Sequence, residues 1–429
     1  MDGNLQKVAE LDRRFCEGMR EVSDCTIGLA VSGGGDSLAL LVMASKWADL
    51  FRRDLKVVTI DHQLRSDSRT EADHVKLIAE SFGYSHDILD WRYEATTGNF
   101  QAAASQARKQ LISTWAKKKC IHVVLLGHTA NDQAETFLMR LARGSGVDGL
   151  ACMNRSKELY DIKWVRPLLG FQREDLRHYL NLQNIKWFDD PSNENTRYAR
   201  VKARKVLKEL EILGVKHRVF LETAERMDKA KEVLNDVARE AGEQYLKLRE
   251  WGDIEVDKKL FEVTRHETYL RLLAHIIKFI SGSMYRTRFS ELKQFVSALI
   301  EPTFKARTIG GVIARPLNEK TLVLRREPRV PIFVKDAPAK NFIWDGRWSI
   351  SLVKNKLGIS EKIGPLGTFG LSQIRGNAPA SIPTEGLISL PALFREEKVV
   401  ASPLLNFGEG FGCSLAYTKL DLINSLITH

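Results

Sequence analysis

The sequence predicts an α/β first half built on a doubly wound parallel sheet, followed by a mainly helical segment and a small β-rich C-terminal part. Three observations carry this expectation. Short apolar runs alternate with longer stretches of helical spacing through the first half. A Gly-rich hexapeptide joins the first apolar run to the first of these helices. Beyond about residue 215 the spacing becomes helical with interleaved charges, and from Phe342 short apolar runs return between Gly- and Pro-containing turns.

Residues 26–31 form the first strand-like run, and Ser32-Gly33-Gly34-Gly35-Asp36-Ser37 follows it, with the apolar run 38–43 opening a helix. Glycines let backbone N–H groups turn inward without a Cβ in the way, and a helix N-terminus adds partial positive charge. Such a turn can hold pyrophosphate, with Ser32 and Ser37 as hydroxyl donors. Asp36 is out of place in an anion cradle unless it meets a Mg²⁺ ion or caps the helix, and a plain tight turn capped by Asp36 is the simpler alternative. The loop is not a Walker loop, because no Gly-Lys-Ser/Thr follows, and three consecutive glycines are not a dinucleotide fingerprint. SGGGDS resembles the pyrophosphate loop of the ATP pyrophosphatases, which transfer AMP to an oxygen and release pyrophosphate.

Further strands are expected at 55–60, 86–89 and 122–126. Ligands of doubly wound sheets bind beyond the carboxyl ends of the strands, so the residues just after each run matter most. Asp61-His62-Gln63-Leu64-Arg65 follows the second run, and a solvated loop is its plain alternative. Gly127-His128-Thr129-Ala130-Asn131-Asp132-Gln133-Ala134-Glu135-Thr136 follows the fourth. If Asn131 or Asp132 starts a helix, Asp132 and Glu135 share one face of its first turn. Two carboxylates there can grip an ammonium group, or can simply complement the helix dipole.

Length and composition set the wider frame. A chain of 429 residues has room for two or three domains, and Lys and Arg exceed Asp and Glu by 65 to 54, a net charge of +11 that favours a polyanionic partner. The five cysteines, Cys16, Cys25, Cys120, Cys152 and Cys413, form no Cys-x-x-Cys pair, so neither a disulfide framework nor a zinc or iron–sulfur site is expected. The first twenty residues mix charges and no run is long enough to span a bilayer. A reducing cytoplasm is the expected compartment, with no membrane contact.

SGGGDS, DHQLR and GHTANDQAE occur in this order at strand ends, and three more segments follow. These are Arg140-Leu141-Ala142-Arg143-Gly144-Ser145-Gly146-Val147-Asp148-Gly149-Leu150, then Arg166-Pro167-Leu168-Leu169, then Asp189-Asp190-Pro191-Ser192-Asn193 with Arg197 and Arg200. Together they resemble the tRNA(Ile)-lysidine synthetase family, a bacterial branch of the ATP pyrophosphatases, across the whole catalytic half. The resemblance implies an adenine nucleotide α hydrolase-like PP-loop domain that uses ATP and Mg²⁺. Its substrates would be free L-lysine and the wobble cytidine of a tRNA(Ile) with a CAU anticodon, whose reading changes from AUG to AUA. It implies ATP contacts at Ser32, Gly33, Gly34, Gly35, Asp36, Ser37 and Asp61, Mg²⁺ at Asp36, and lysine recognition by Asp132 and Glu135. Catalytic roles would fall to Asp36, Asp132 and Arg108.

The family pattern around Arg108 ends Ala-Arg-x-x-Arg-Tyr; here Ser105 replaces the first arginine and Lys109 the tyrosine, leaving Arg108 to meet phosphate or adenylate. Arg197, Arg200, Lys202, Arg204 and Lys205 form a basic run. A solvated face is the ordinary explanation, and the resemblance brings Arg197, Arg200 and Arg204 toward tRNA or the adenylate. It also assigns tRNA binding to a helical middle domain, 216–330, and a β-rich C-terminal domain, 340–429, after a catalytic domain over 1–215. The strand-like runs expected in the last are 348–353, 387–390 and 398–401, with 328–338 as a linker and no strand alternation between about residue 215 and Thr308. Arg375, Arg395 and Lys398 are surface charges or phosphate contacts. The rival is a PP-loop tRNA thiolation enzyme, disfavoured because its chemistry draws on cysteine pairs or an iron–sulfur cluster. Whether the chain acts as a homodimer is left open.

Overall fold

The computed structural model describes residues 2–61, 68–91, 100–188, 199–283, 287–327, 333–335, 337 and 339–426. They fall into two compact units divided between Lys231 and Glu232.

The first unit opens with α1 (Asp2–Gly18), β1 (Thr26–Ala30), α2 (Gly35–Phe51), β2 (Asp54–Asp61), α3 (Ser68–Ser81) and β3 (Ser85–Asp90). It continues with α4 (Phe100–Lys118), β4 (Val123–Leu126), α5 (Ala130–Leu141), the single turn α6 (Val147–Leu150), β5 (Ser156–Leu159) and β6 (Ile162–Val165). Next come α7 (Arg173–Leu182), α8 (Ala199–Ile212) and α9 (His217–Tyr245), inside which the division falls. The sheet order is β3-β2-β1-β4-β6-β5, parallel except for the β5–β6 hairpin.

Both faces of this sheet are covered, as a parallel sheet requires. Ile27 and Leu29 of β1 pack with α1, α2 and α7 on one side, while Val58 and Val124 pack with Ile112 and Trp115 of α4 on the other. Gly28 makes that second layer possible, since a Cβ there would sit 3.0 Å from the Trp115 ring. Helix α2 is apolar nearly all round and Leu38, Leu40 and Leu41 are fully buried, each contributing about 1.5–3 kcal/mol. Strand order reverses between β1 and β4, so the crevice beyond their carboxyl ends is the place for a ligand.

The four expected strands are β1 to β4, each within a residue or two of its sequence boundaries. The hairpin β5–β6 was not legible, because Ser156–Leu159 carries no apolar alternation and Ile162–Val165 is too short to stand out. The first unit also runs past the expected boundary at 215. Phe220 and Ala224 of α9 are buried with Phe137 of α5 and Leu207 of α8, so the start of α9 completes this unit's packing.

The second unit holds β7 (Leu246–Leu248), β8 (Ile254–Asp257), α10 (Lys259–Val263), α11 (His266–Ser281), α12 (Phe289–Ile300), β9 (Arg307–Ile309), β10 (Val312–Pro316) and β11 (Thr321–Arg326). The five strands form an antiparallel sheet, order β7-β8-β11-β10-β9, sharing a core with α11 and α12. Strands therefore do precede Thr308. The sequence hid β7 and β8 because they are three and four residues long and continue the charged pattern of α9.

The rest of the unit contains β12 (Asn341–Trp344), β13 (Trp348–Leu352), β14 (Glu361–Pro365), α13 (Gly367–Ile374), α14 (Thr384–Leu387), β15 (Pro391–Arg395), β16 (Lys398–Ala401), β17 (Phe411–Leu415) and α15 (Lys419–Asn424). These strands form two three-stranded sheets, β12-β13-β17 and β14-β15-β16. The expected strands at 348–353 and 398–401 are β13 and β16. Residues 387–390 are instead the end of α14 and the turn after it, where Leu387 and Leu390 are buried without pairing into a sheet. Most of the expected linker 328–338 lies outside the described residues, and within it Val334 bridges to Ile363 of β14. Among the described residues no helix is long and apolar enough to cross a membrane.

Candidate active site

At the strand-order reversal the hexapeptide passes directly from β1 into α2. Gly33 takes a positive φ of 81° and Gly34 is the residue preceding the first helical turn, so Asp36 lies inside that turn and does not cap it. The loop closes on itself through serine. Ser32 N–H donates to Ser37 Oγ at 3.1 Å, and Ser37 Oγ donates to the Gly34 carbonyl at 2.9 Å. A Cβ at Gly34 would meet nothing closer than Ser32 Oγ at 3.8 Å, so packing does not demand glycine there. Glycine keeps the first-turn N–H groups of α2 open to an approaching anion. Gly127, after β4, is required by close approach: its Cβ would lie 3.0 Å from Ser37 Cα.

Helix α5 begins beside that contact. Thr129 and Asp132 form a reciprocal capping box, with Asp132 Oδ2 accepting the Thr129 N–H at 2.9 Å. The neighbouring Asn131 works outward, its Oδ1 accepting the Arg173 N–H at 2.8 Å, and Ala130 N–H donates to the Phe171 carbonyl. Two helix starts, α5 and α7, are thereby fastened together. Arg173, at the first position of α7, is aimed at three carboxylates.

Its Nε donates to Asp36 Oδ2 at 2.9 Å, Nη2 reaches Asp132 Oδ1 at 3.3 Å, and Nη1 lies 3.6 Å from Glu135 Oε1. Arg204 of α8 donates from Nε to the same Glu135 oxygen at 2.8 Å. Three carboxylates thus share two directly bonded guanidiniums, and Glu135 is 1% exposed. Asp36 Oδ1 and Glu135 Oε2 remain buried without a hydrogen-bond partner. Buried carboxylate oxygens left unpaired are costly, and each of these two can accept one more donor or cation.

Burial raises the Asp36 carboxyl above its ordinary value even though Arg173 opposes it. For Asp132, burial acts in the same direction, but Arg173 and Arg200 outweigh it and hold the group below the usual carboxylate range. His128 is pushed down to about 4 by burial, with Arg166, Arg108 and Arg200 adding to the shift against Asp132. The imidazole is therefore neutral beside an ionised Asp132.

The expected site residues separate into groups. Ser32, Gly33, Gly34, Gly35, Asp36 and Ser37 form the loop, and Asp132 and Glu135 come together with Asp36 through Arg173. Asp61 ends β2, buried, while the rest of DHQLR lies outside the described residues. Arg204 contacts Glu135, whereas Arg108 and Arg200 are exposed, on α4 and α8, near enough for their charge to act on His128. Arg197 and the Asp189-to-Asn193 segment lie outside the described residues. Arg140 and Gln133 have a supporting part, bonding to the carbonyls of Gly149 and Met153 and so fixing the segment after α5. Sequence reading missed Arg173. A signal was available: an arginine at the first position of a helix opposes the dipole, a local cost that calls for an acidic partner.

Among the described residues no group of three or more His, Cys, Asp or Glu side chains forms a ready-made metal cage. A Mg²⁺ ion would fit through Asp36, whose Oδ1 is free, with nucleotide phosphates as its other ligands.

Fold and loop define the class, a PP-loop nucleotide-using domain, and residues 7–210 match the family described as PP-loop domain. A tRNA(Ile)-lysidine synthase from Ruegeria pomeroyi is 34% identical over 403 residues, 94% of each chain, and one from Wolbachia pipientis wMel is 32% identical over 386 residues, 89% of each. Among solved structures, the U34-tRNA thiolase NcsA from Methanococcus maripaludis with its 4Fe-4S cluster aligns with a TM-score of 0.47 and 16% identity, over 52% of this chain and 79% of that one. The chain belongs to the tRNA(Ile)-lysidine synthase family.

Proposed function

We propose that the chain adenylates the C2 carbonyl oxygen of the wobble cytidine in the CAU anticodon of tRNA(Ile), and then joins the side-chain amine of free L-lysine to that carbon. The observation that carries this reading is the meeting of an open pyrophosphate loop with two carboxylates, Asp132 and Glu135, through Arg173. Oxygen on cytosine C2 is a poor leaving group, and transfer of AMP from ATP makes it a good one. Ser32, the three glycines, Asp36 and Ser37 hold the departing pyrophosphate through the Ser32 hydroxyl and the backbone N–H groups of the loop and first turn, the Ser37 hydroxyl proton going to the Gly34 carbonyl, with Asp61 on the neighbouring strand end as a further ATP contact. Asp36 would hold Mg²⁺, which would supply positive charge against the phosphates.

Asp132 and Glu135 hold the lysine ammonium and orient it, the free Oε2 of Glu135 accepting one of its protons. Attack of the neutral amine on C2 forms the C–N bond as the C2–O bond breaks, AMP leaving with the bonding electron pair and the second amine proton passing to solvent. Contact with tRNA phosphate and adenylate falls to Arg108, Arg197, Arg200 and Arg204, and the domains over 216–330 and 340–429 hold the rest of the tRNA. For sulfur transfer Cys152 is a poor carrier, since burial pushes its thiol up to about 11 and keeps it protonated. The compartment is the cytoplasm, where ATP, lysine and tRNA occur together.

The test supplies the purified chain with ATP, Mg²⁺ and unmodified tRNA(Ile), and offers lysine, a sulfide donor or ammonia in separate reactions. Lysine should be incorporated at the wobble cytidine with release of AMP and pyrophosphate. Incorporation of sulfur or ammonia in preference to lysine would refute the assignment.

A further inference from the structure

We propose that Arg173 is a positioning residue that couples the two halves of the reaction, occupying the carboxylates of the lysine subsite until nucleotide draws it away. The inference rests on the reading that Asp132 and Glu135 receive lysine, and extends it to a residue for which that reading has no role.

One guanidinium touches three carboxylates with three different nitrogens: Nε on Asp36, Nη2 on Asp132 and Nη1 near Glu135. Asp36 belongs to the pyrophosphate loop, whereas Asp132 and Glu135 belong to α5, so the side chain spans both subsites. The backbone at Arg173 is fixed by Asn131 and the side chain is only 20% exposed. The contacts differ in quality. The bond to Asp36 is short, while those to Asp132 and Glu135 lie at 3.3 and 3.6 Å, the weak end of the range for charged partners. A lysine ammonium and Arg173 compete for Asp132 Oδ1, because Asp132 Oδ2 is already taken by Thr129, and they crowd each other at Glu135, where Oε1 meets Arg173 and Arg204 and only Oε2 is left for lysine.

The nucleotide changes that competition. ATP phosphates on the loop place negative charge beside Asp36, and a cation on Asp36 Oδ1 weakens that carboxylate's hold on the guanidinium. Arg173 then moves toward phosphate and releases Asp132 and Glu135. A planar fork with five donors can exchange carboxylates for phosphate oxygens without losing hydrogen bonds, which a lysine in its place could not do. Lysine binding is thereby favoured once ATP is in place, so the amine is captured where it can be used. The arrangement also explains an arginine at the unfavourable end of a helix dipole.

The experiment measures L-lysine binding by calorimetry to the full chain, alone and saturated with α,β-methylene ATP and Mg²⁺. In the unaltered protein the nucleotide should tighten lysine binding by about five-fold or more. Arg173→Gln should bind lysine at least as tightly as the parent without nucleotide, and should cut the nucleotide effect to about two-fold or less. Arg173→Lys keeps the charge but cannot bridge three carboxylates, and should show a coupling between the two. It carries the test alone if Arg173→Gln does not fold. Full coupling retained in the variants, or none in the parent, would overturn the proposal. If Glu135→Gln weakens lysine binding while Arg173→Gln leaves the coupling intact, the lysine subsite stands and only the role of Arg173 falls. If the parent binds no lysine under either condition, the subsite assignment itself fails and takes this proposal with it.

Discussion

Arg204 donates from Nε to Glu135 Oε1 over 2.8 Å, tying the middle of α8 to the start of α5 at a carboxylate that is 1% exposed. The basic run on α8 is thus divided by helical spacing. Val201, Ala203 and Leu207 are buried, Arg204 sits at the edge of that face, and Arg200, Lys202 and Lys205 are exposed.

Arg204→Met should destabilise the protein by about 1–3 kcal/mol, because Glu135 keeps only a longer contact to Arg173. Adding Glu135→Gln should recover part of that loss by removing the buried charge. Urea unfolding of the two single variants and the double variant gives the coupling directly. Strict additivity would mean that the pair contributes nothing through its contact.

Asp36→Ala should abolish adenylation while leaving tRNA affinity near that of the parent, since the loop acts in AMP transfer and the tRNA is held elsewhere. The variant also deprives Arg173 of its shortest contact. Adenylated tRNA formed at the parent rate would remove Asp36 from pyrophosphate and Mg²⁺ binding.

Glu135→Gln and Asp132→Asn should both spare adenylation and raise the Michaelis constant for lysine, so that adenylated tRNA accumulates. They should differ in stability. Asp132 also closes the capping box of α5, and weakening it costs about 1 kcal/mol that Glu135→Gln does not incur through a cap. Unchanged lysine dependence in both would leave Asp132 and Glu135 with structural parts only.

Most of the first unit's architecture could be read from the chain, because β1 to β4 are apolar runs buried on both faces and each ends at a recognisable turn. The site was legible as far as residues announce themselves singly: Asp36 in a Gly-rich loop, and Asp132 and Glu135 one helical turn apart. What joins them was not. Arg173 comes 137 residues after Asp36, and only the folded chain shows that one guanidinium serves both loops. Asp132 carried two meanings at once, helix capping and charge recognition, and the structure shows the first operating on Oδ2 while Oδ1 faces Arg173. The short strands β5, β7 and β8 escaped because pairing and burial made in three dimensions, more than local propensity, define them.

Acid should weaken the fold through His86. Its Nε2 lies 2.8 Å from Thr59 Oγ1, and that hydroxyl donates its single proton to the Val31 carbonyl at 2.8 Å, so the imidazole must donate from Nε2 and leaves Nδ1 buried without a partner. Burial pushes this histidine down to about 4, with Lys76 adding to the shift and Asp87, Glu80 and Asp73 opposing it. The unfolded chain takes up the proton first, near pH 6.5, so stability should decline as pH falls from about 6.5 toward about 4, with no loss from this group above that window. His86→Gln should flatten the decline, leaving the share of His128. Urea midpoints at about pH 7.5 and about pH 5 measure it, and an equal decline in the variant would exclude His86 as a source.

The division of labour between the units can be tested by salt. Contacts to phosphate confer affinity that falls steeply as counterions are no longer released to dilute solution, whereas the residues of the candidate site belong to the first unit. A fragment ending at Val215 would strip Phe220 and Ala224 from the cluster around Phe137 and Leu207, so the fragment to use is 1–231. It should bind ATP, which also certifies its fold, yet lose most of the tRNA affinity of the full chain. In the full chain log affinity should fall linearly with log salt, with a slope of about −0.7 to −0.9 per phosphate contact. Filter binding of both proteins across a salt series supplies the comparison. Equal affinity and equal slope in the two would show that the second unit does not hold the tRNA, and would confine phosphate recognition to the first unit.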